Sequence, residues 1–384
     1  MNYLQYGLGA VGEGLVECAL EQNAPTPAAV VVKNPLKTRK HALLVATDAL
    51  IDDFDGMVET TDDADSALRR TRDALRAGKW VVSANKKMIA ERFLDWFDAA
   101  LGSPAPFLYE ASCCAAIPVI RLLDGYYAHE HIDHLGGIFN GTTNFILTRI
   151  FERGWDYARA LEEARRLGFA ESDPTLDVNG TDAAHKLCIL AVHAFGLYVS
   201  PSEIARYGIP TISDYDVRVA RERGKTIKLM AGARRSTDGG VALTVLPTFV
   251  GPESPFFSVS EEFNAVGLTA RHTGPAFWLG KGAGGRPTGG ALLADLRAAY
   301  AGQRYAYAKF RSGQAPQADP HALQTVYVRF RAAEAPDFVR FVEEPIRHQE
   351  PGNIGYYVGK MTIQELGRCI EVLEGRPEYF IAGW

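Results

Sequence analysis

The sequence predicts an α/β protein whose first domain contains a doubly wound parallel β-sheet. A short apolar run at residues 2–6 leads into the turn Gly7-Leu8-Gly9-Ala10-Val11-Gly12, and a helical segment follows at 15–20. A second apolar run at 28–32 completes a strand–turn–helix–strand unit. Residues 81–85 then have the pattern of a buried strand that ends in polar residues. Because strands alternate with helices, we expect a Rossmann-type sheet.

Further domains are expected after the first. With 384 residues, of which 47% are hydrophobic, the chain is long enough for two or three separate cores. Strands mixed with long helical runs predict an α+β second domain over 131–285. The helical segment 286–303 is expected to return to the first domain, 1–130. A polar linker then precedes a small α+β C-terminal module at 320–384, with strands predicted at 325–330 and 354–358 and helices at 337–343 and 363–373.

Composition argues against several classes of protein. The 41 Lys and Arg residues against 46 Asp and Glu give a net charge of −5, so we expect no nucleic-acid partner. No secretory signal or membrane-length apolar run is evident, which favours a cytoplasmic protein without a membrane partner. Five cysteines, an odd number, fit a reduced compartment. The adjacent Cys113 and Cys114 lack the spacing of a zinc site and are interpreted as packing residues.

The glycine turn predicts a dinucleotide site. Gly7 would permit the tight bend, Gly9 would let the backbone approach a pyrophosphate, and Gly12 would allow the helix to pack closely on the strand. The pyrophosphate would lie at the start of the helix, beside Ala10 and Val11, where free N–H groups favour an anion. Glycine-rich turns also occur without a ligand, but the flanking strands favour binding.

The residues after the second strand bear on the choice of cofactor. An NAD-selective site usually has an acidic residue there, whereas this chain has Lys33, with Arg39 and Lys40 close behind. These cations suit the 2′-phosphate of NADP. A solvated basic loop is an equally good interpretation.

Acids and lysines gather in the middle of the chain. Asp182 and Lys186 are four residues apart, so on a helix they share one face. Because Lys186 lies in an otherwise apolar helix, a partly buried lysine tuned for proton transfer is one interpretation. An exposed ion pair is the alternative. Glu171 and Asp177 fit either a binding site or helix caps.

Two further segments place polar groups at strand ends. The run Asn140 to Asn144 follows a strand and precedes a helix, so it is a set of donors or a helix cap. Asn85-Lys86-Lys87 follows another strand, at the edge where open α/β sheets bind ligands, although a surface lysine pair is the simpler explanation.

Taken in order, these segments resemble homoserine dehydrogenases over roughly residues 1–300. Each motif alone is weak, and the ordered set is specific. The matching segments are Gly7 to Gly14, Val81 to Lys86, Glu110-Ala111-Ser112, Gly137 to Thr148, Gly168 to Lys186 and Gly280 to Asp295.

The resemblance implies a function for the chain and roles for its residues. The reaction would be reversible NAD(P)-dependent hydride transfer between L-homoserine and L-aspartate 4-semialdehyde, in the threonine, methionine and isoleucine branch of aspartate-derived biosynthesis. The 131–285 domain would carry catalysis and form a homodimer or a higher oligomer. Lys186 and Lys86 match the acid/base lysines, Asp182 matches the partner of Lys186, and Glu171, Asp177, Gly141 and Thr142 match substrate contacts.

The same resemblance extends to the cofactor and to an ion. Ala84 and Lys86, at a strand end, and Gly285, in a glycine loop, match cofactor contacts. A monovalent cation, Na⁺ or K⁺, would bind mainly through backbone oxygens of Glu110, Cys113, Ala115 and Ile117.

The chain departs from the family pattern at three places. Cys113 to Ala116 replace a stretch that usually contains glycines, and Cys114 and Ala116 are expected to alter the cation loop or to narrow the cofactor site. Phe169 replaces a common Tyr and would lack one hydrogen bond to the substrate, so weaker binding with retained chemistry is expected. The tail lacks the turn typical of an ACT domain, and a degenerate ACT-like unit and a plain dimer-supporting extension are about equally compatible with it.

Two other functions compete with this interpretation of the chain. One is a dehydrogenase acting at an amine carbon, and the other is a catalytically silent NADP-binding sensor.

Overall fold

The computed structural model describes residues 1–41, 43–46, 51–331, 339–349 and 354–384. Its strands are β1 Tyr3–Tyr6, β2 Ala29–Val31, β3 Val45–Ala46, β4 Gly56–Glu59, β5 Trp80–Ser83, β6 Phe107–Leu108, β7 Ile132–Ile138, β8 Ala205–Arg206, β9 Thr226–Arg235, β10 Val241–Val250, β11 Phe263–Ala270, β12 Gly274–Lys281, β13 Leu323–Arg331, β14 Ile346–Gln349, β15 Ile354–Thr362 and β16 Phe380–Gly383.

The helices are α1 Ala10–Glu21, α2 Ala64–Arg76, α3 Lys86–Glu91, α4 Phe93–Gly102, α5 Val119–Arg121, α6 Gly141–Arg153, α7 Tyr157–Arg166, α8 Thr175–Val178, α9 Thr181–Phe195, α10 Asp214–Glu222, α11 Gly285–Tyr300, α12 Ala308–Arg311 and α13 Ile363–Leu373. None of the helices in the described ranges is long and apolar enough to cross a membrane.

The first compact unit contains residues 1–129, 192–194 and 280–311. Its six strands are all parallel and lie in the order β3-β2-β1-β4-β5-β6. The side chains of β1, β4 and β5 are buried on both faces, as expected when helices cover both sides of a parallel sheet. The prediction of a doubly wound parallel sheet is therefore confirmed.

Helices α1 and α11 of this unit touch backbone to backbone. A Cβ atom added to Gly14 would lie 1.9 Å from the carbonyl oxygen of Gly285, and one added to Gly289 would lie 2.3 Å from the carbonyl carbon of Gly14. Only glycine leaves room for such an approach. This contact fixes α11, which begins at the end of the glycine loop 282–285, against α1, which begins in the glycine turn 7–12.

The second compact unit contains residues 130–191, 195–279 and 312–384 and has one mixed sheet. The strand order is β12-β11-β7-β9-β10-β16-β13-β15-β14, with β8 paired to β10. Strand β7 lies between β11 and β9 and is antiparallel to both, so it is an interior strand of the sheet. This mixed sheet confirms the predicted α+β character of the region.

The C-terminal strands extend this sheet. Strand β16 pairs with β10 on one side and β13 on the other, and β15 and β14 follow. The strands predicted at 325–330 and 354–358 and the helix at 363–373 are confirmed. The helix predicted at 337–343 is wrong for residues 339–343, which are not helical, and its start at 337–338 lies outside the described residues. The ACT-like character of the tail stays a prediction.

A buried ion pair attaches the tail to helix α10. The Arg329 Nε lies 3.0 Å from Asp216 Oδ1, and the Tyr327 hydroxyl donates to the same oxygen at 2.9 Å. Arg329 and Asp216 are 4% and 0% exposed. Further guanidinium N–H groups donate to the carbonyls of Thr211 and Pro377. Because every charge has a partner, the pair is tolerated in the core.

Replacing Arg329 with Met should therefore destabilise the second unit strongly. The substitution would leave the Asp216 carboxylate buried without its counter-charge, and we expect the free energy of unfolding to fall by about 3–5 kcal/mol. Urea denaturation followed by tryptophan fluorescence measures this change. Arg331→Met, at an exposed position of the same strand, is the control and should change stability by less than about 0.5 kcal/mol. Equal effects of the two substitutions would contradict the assignment.

Candidate functional site

In the glycine turn after β1, two of the three glycines leave no room for a side chain. Gly7 has a φ of +89°, and a Cβ there would lie 2.8 Å from Thr60 Oγ1. A Cβ on Gly12 would lie 2.6 Å from the Gly7 carbonyl oxygen. Gly9, in contrast, has open space where its Cβ would be. The first and third glycines are thus required by packing, whereas the second keeps space clear outside the turn.

Helix α1 starts at this open space. Gly9 is its N-cap and has no side chain to occupy the N–H groups of the first turn, which begins with Ala10 and Val11. Gln5, fully buried in β1, donates from Nε2 to the carbonyls of Gly7 and Gly12 and holds the turn in place. The backbone and open space fit a phosphate group at a helix N-terminus.

The basic residues after β2 differ in their availability. The Arg39 guanidinium donates to the carbonyls of Asn34 and Lys37, each at 2.6 Å, and Lys40 pairs with Glu17 at 2.5 Å. Lys33 is exposed. It lines an open cleft of about 340 Å³ that also contains Asp62, Asp63, Ala64, Asp65, Lys87, Glu91 and Arg92. The cleft therefore carries charges of both signs.

The end of β5 has the position that the sequence predicted for it. Ser83 is the last residue of the strand, Ala84 follows it, and Lys86 begins α3. Asn85 caps this helix by accepting from Met88 N at 2.9 Å and donates to the Thr61 carbonyl. Lys86 is thus half-buried at the carboxyl edge of the parallel sheet.

Glu110 belongs to a buried group of charges. Its two carboxylate oxygens accept from the backbone N–H groups of Ile120 and Arg121 at 2.8 and 2.9 Å. Its own N–H donates to Asp295, which also contacts the Arg121 guanidinium. Burial raises the pKa of Glu110 to about 8 and that of Asp295 to about 6. Two buried carboxyl groups therefore share one arginine.

The loop after Glu110 has an unusual backbone. Cys114 and Ala115 have φ values of +53° and +33°, a region that favours glycine. The Ile117 N–H donates to the Cys114 carbonyl, and Ala116 N–H donates to Lys281. Two residues of the 113–116 stretch that departs from the family pattern, Cys114 and Ala115, therefore have a backbone conformation that favours glycine. In the described ranges, no group of three or more His, Cys, Asp or Glu side chains could hold a metal ion.

In the second unit, Lys186 is buried at the end of β7. Its Nζ donates to the Phe139 carbonyl at 2.6 Å and to Asp182 Oδ2 at 2.8 Å. Lys186 is 5% exposed and Asp182 is 3% exposed. The spacing on α9 brings the two side chains together, as the sequence predicted, and the exposed ion pair is ruled out. A buried ammonium beside a carboxylate can hold or release a proton.

Asn140 connects this pair to a second carboxylate. Its Nδ2 donates to Asp182 Oδ2 at 2.9 Å and to Asp177 Oδ1 at 2.7 Å, while its Oδ1 caps α6 by accepting from Thr143 N. The sequence placed Asn140 at a strand end but did not single it out as a site residue. Its position directly before Gly141 was the available signal.

The other residues predicted to contact the substrate are Thr142, Gly141 and Glu171, and each has a different environment. The Thr142 hydroxyl donates to the Phe169 carbonyl at 2.6 Å and lies 3.4 Å from Asp177 Oδ2. A Cβ on Gly141 would lie 2.5 Å from the Glu262 carbonyl oxygen, so close packing also explains this glycine. Glu171 is exposed in the stretch between α7 and α8, and within the described ranges it makes no hydrogen bond to the group around Lys186.

Comparison with known proteins identifies the family. A sequence model described as homoserine dehydrogenase matches residues 118–296. The homoserine dehydrogenase of Bacillus subtilis is 35% identical over 307 residues, which cover 76% of this chain and 70% of that protein. This chain belongs to the homoserine dehydrogenase family.

Two further homoserine dehydrogenases describe the extent of the likeness. The crystal structure of the Thiobacillus denitrificans enzyme has a TM-score of 0.81 and 28% identity, with 100% of this chain and 96% of that chain covered. The Lactococcus lactis enzyme is 39% identical over 222 residues, which are 58% of this chain and 52% of that protein. The matched part of this chain thus spans about half the length of that relative.

For this homoserine dehydrogenase family member, the contact between α1 and α11 can be tested by adding one carbon atom. We expect Gly14→Ala to lower the free energy of unfolding by about 1–3 kcal/mol, because the new Cβ overlaps the Gly285 carbonyl. Gly102→Ala is the control, since its Cβ would have no atom within 4 Å. Thermal and urea unfolding of both variants gives the comparison. A Gly14→Ala protein as stable as Gly102→Ala would show that the helices do not touch.

Proposed function

We propose that this chain is an oxidoreductase that interconverts L-homoserine and L-aspartate 4-semialdehyde with a nicotinamide cofactor. The observation that carries the proposal is the hydrogen-bonded group at the end of β7, in which Lys186, Asp182 and Asn140 are buried and Asp177 is half-buried. This group lies inside the segment matched by the family. We place the reaction in the threonine, methionine and isoleucine branch of amino-acid biosynthesis, in the cytoplasm, and catalysed by a homodimer.

The cofactor would bind at the glycine turn. Gly7, Gly9 and Gly12 leave the space, Ala10 and Val11 present N–H groups to the pyrophosphate, and Ala84, Lys86 and Gly285 would complete the contacts. When bound, the nicotinamide ring supplies the hydride chemistry. NADP is favoured if Lys33 meets the 2′-phosphate; Arg39 would first have to release the carbonyls of its own loop.

Lys186 would transfer the proton at the substrate oxygen. In the reducing direction, negative charge grows on the aldehyde oxygen, and a lysine ammonium both stabilises this charge and donates the proton. Asp182 and the Phe139 carbonyl hold the Lys186 ammonium in one position, so little rearrangement is needed. Lys86 is the second acid/base candidate.

The carboxylates would orient the amino acid. Asp177, with Thr142 and Gly141 beside it, lies where an ammonium group can be bound, and Glu171 would add a second negative charge from its exposed position. This arrangement suits a substrate that has an amino group at one end and a hydroxyl or aldehyde at the other.

A monovalent cation, Na⁺ or K⁺, would bind near Glu110. The ligands proposed are the backbone oxygens of Glu110, Cys113, Ala115 and Ile117, and the left-handed backbone at Cys114 and Ala115 turns successive carbonyls through a tight loop. This turned backbone fits a small cation.

The proton-transfer role predicts a large loss of turnover for Lys186→Met. We expect kcat to fall by about 10²–10⁴, because the variant lacks the acid/base group. The assay follows reduced-cofactor absorbance with L-homoserine and NAD or NADP in parallel. Lys228→Met is the matched control. Lys228 is also buried in the second unit, but its Nζ donates to Asn144 and to the Val259 carbonyl and not to the Lys186 group. The kcat of this variant should therefore stay within about threefold of wild type. A wild-type protein that binds NADP but turns over homoserine with neither cofactor would instead be a sensor.

The cofactor role predicts a selective effect of Gly9→Ala. The added methyl enters open space, so the unfolding temperature should not change, but the same methyl would keep a pyrophosphate from the start of α1. We expect the Kd for NADP, measured by fluorescence titration, to rise at least about tenfold. Unchanged affinity would place the nucleotide elsewhere.

A further inference from the structure

We propose that Asn140 is a positioning residue for the reaction, and that its amide sets the relative placement of the substrate-binding carboxylate Asp177 and the lysine partner Asp182. This inference rests on the proposed function. Both carboxylates accept from one nitrogen, Nδ2, at 2.7 and 2.9 Å. A single side chain therefore connects the group that would hold the substrate to the group that orients Lys186.

The Asn140 side chain is held firmly enough for this role. It is 4% exposed, and its Oδ1 accepts from Thr143 N at 2.8 Å as the N-cap of α6. Because the cap determines the direction of the amide plane, the two N–H bonds point towards α8 and α9. The preceding carbonyl, of Phe139, accepts from Lys186 Nζ, so the backbone next to Asn140 also fixes the lysine.

The chemistry of the site explains why an amide is needed. Two carboxylates near one another raise the pKa of one of them unless donors stabilise both charges. Among the described residues, the ionisable groups bonded to the amide or to its partners are Asp177 of α8 and Asp182 and Lys186 of α9. Glu262 approaches the following residue through its backbone carbonyl. The Asn140 amide adds no charge and supplies one N–H to each carboxylate, and such hydrogen bonds favour the charged form of a carboxyl group.

Asn140→Asp tests this role because aspartate has nearly the same shape as asparagine but carries a negative charge when it is ionised. The new side chain can still cap α6, since aspartate is a good N-cap. Ionised, it would place a third carboxylate between the two others; protonated, it could donate to one of them. We therefore expect kcat/KM relative to wild type to fall about 100-fold at pH 8 and to recover to within about tenfold near pH 6.

A second variant and a control keep the test decisive. Asn140→Ser also caps α6 but is too short to reach both carboxylates, so its activity should be low at every pH, with KM for homoserine raised. Asn144→Asp is the matched control, because Asn144 is equally buried on α6 but bonds Lys228 and the carbonyls of Val259 and Phe263. Its activity ratio should not change with pH.

The outcomes separate this proposal from the proposed function. A wild-type protein without homoserine turnover overturns both. An active wild type whose Asn140→Asp variant loses activity equally at pH 6 and pH 8, or loses none, overturns the role of Asn140 alone. If Asn140→Asp does not fold, Asn140→Ser decides: wild-type KM and kcat in that variant would refute the role.

Discussion

The burial of one ammonium group at the end of β7 organises the second unit. Burying a charged lysine in the core is costly unless its ammonium is hydrogen-bonded and paired with an opposite charge. Lys186 meets this requirement with a backbone carbonyl and Asp182, and Asp182 in turn shares Asn140 with Asp177. The end of β7 and the helices α8 and α9 must therefore arrive at one place. A substrate amino acid could be oriented there with little further rearrangement.

The first unit depends on a different constraint, which is the absence of side chains. Gly7, Gly12, Gly14 and Gly285 each lie where a Cβ would meet backbone or a neighbouring side chain within 3 Å. The cost is the larger entropy loss of glycine on folding. The result is a turn and a helix start that a phosphate group can approach, beside helix α11, which begins at Gly285.

The environments of the predicted site residues could be predicted from the sequence to different degrees. Asp182 and Lys186 were correctly placed on one helix face because helical periodicity is a local property. Glu171 and Arg39 show the limit. Among the described residues, Glu171 is exposed and makes no hydrogen bond to the Lys186 group, and Arg39 donates to carbonyls of its own loop. Residue type alone predicts neither environment. The tail shows the same limit, since the helix predicted from 337 is not helical at 339–343.

The sequence by itself determined the parallel α/β sheet, the glycine turn, the strand ends with their polar residues, and the family, because these depend on periodicity and on the order of short motifs. Only the tertiary structure decided which polar groups are partners. Asn140 meets Asp177 and Asp182, Glu110 meets Asp295, and Arg329 meets Asp216 across long stretches of chain. Such pairs are set by the packing of strands and helices, since a buried polar group takes whichever partner the fold brings within hydrogen-bonding distance.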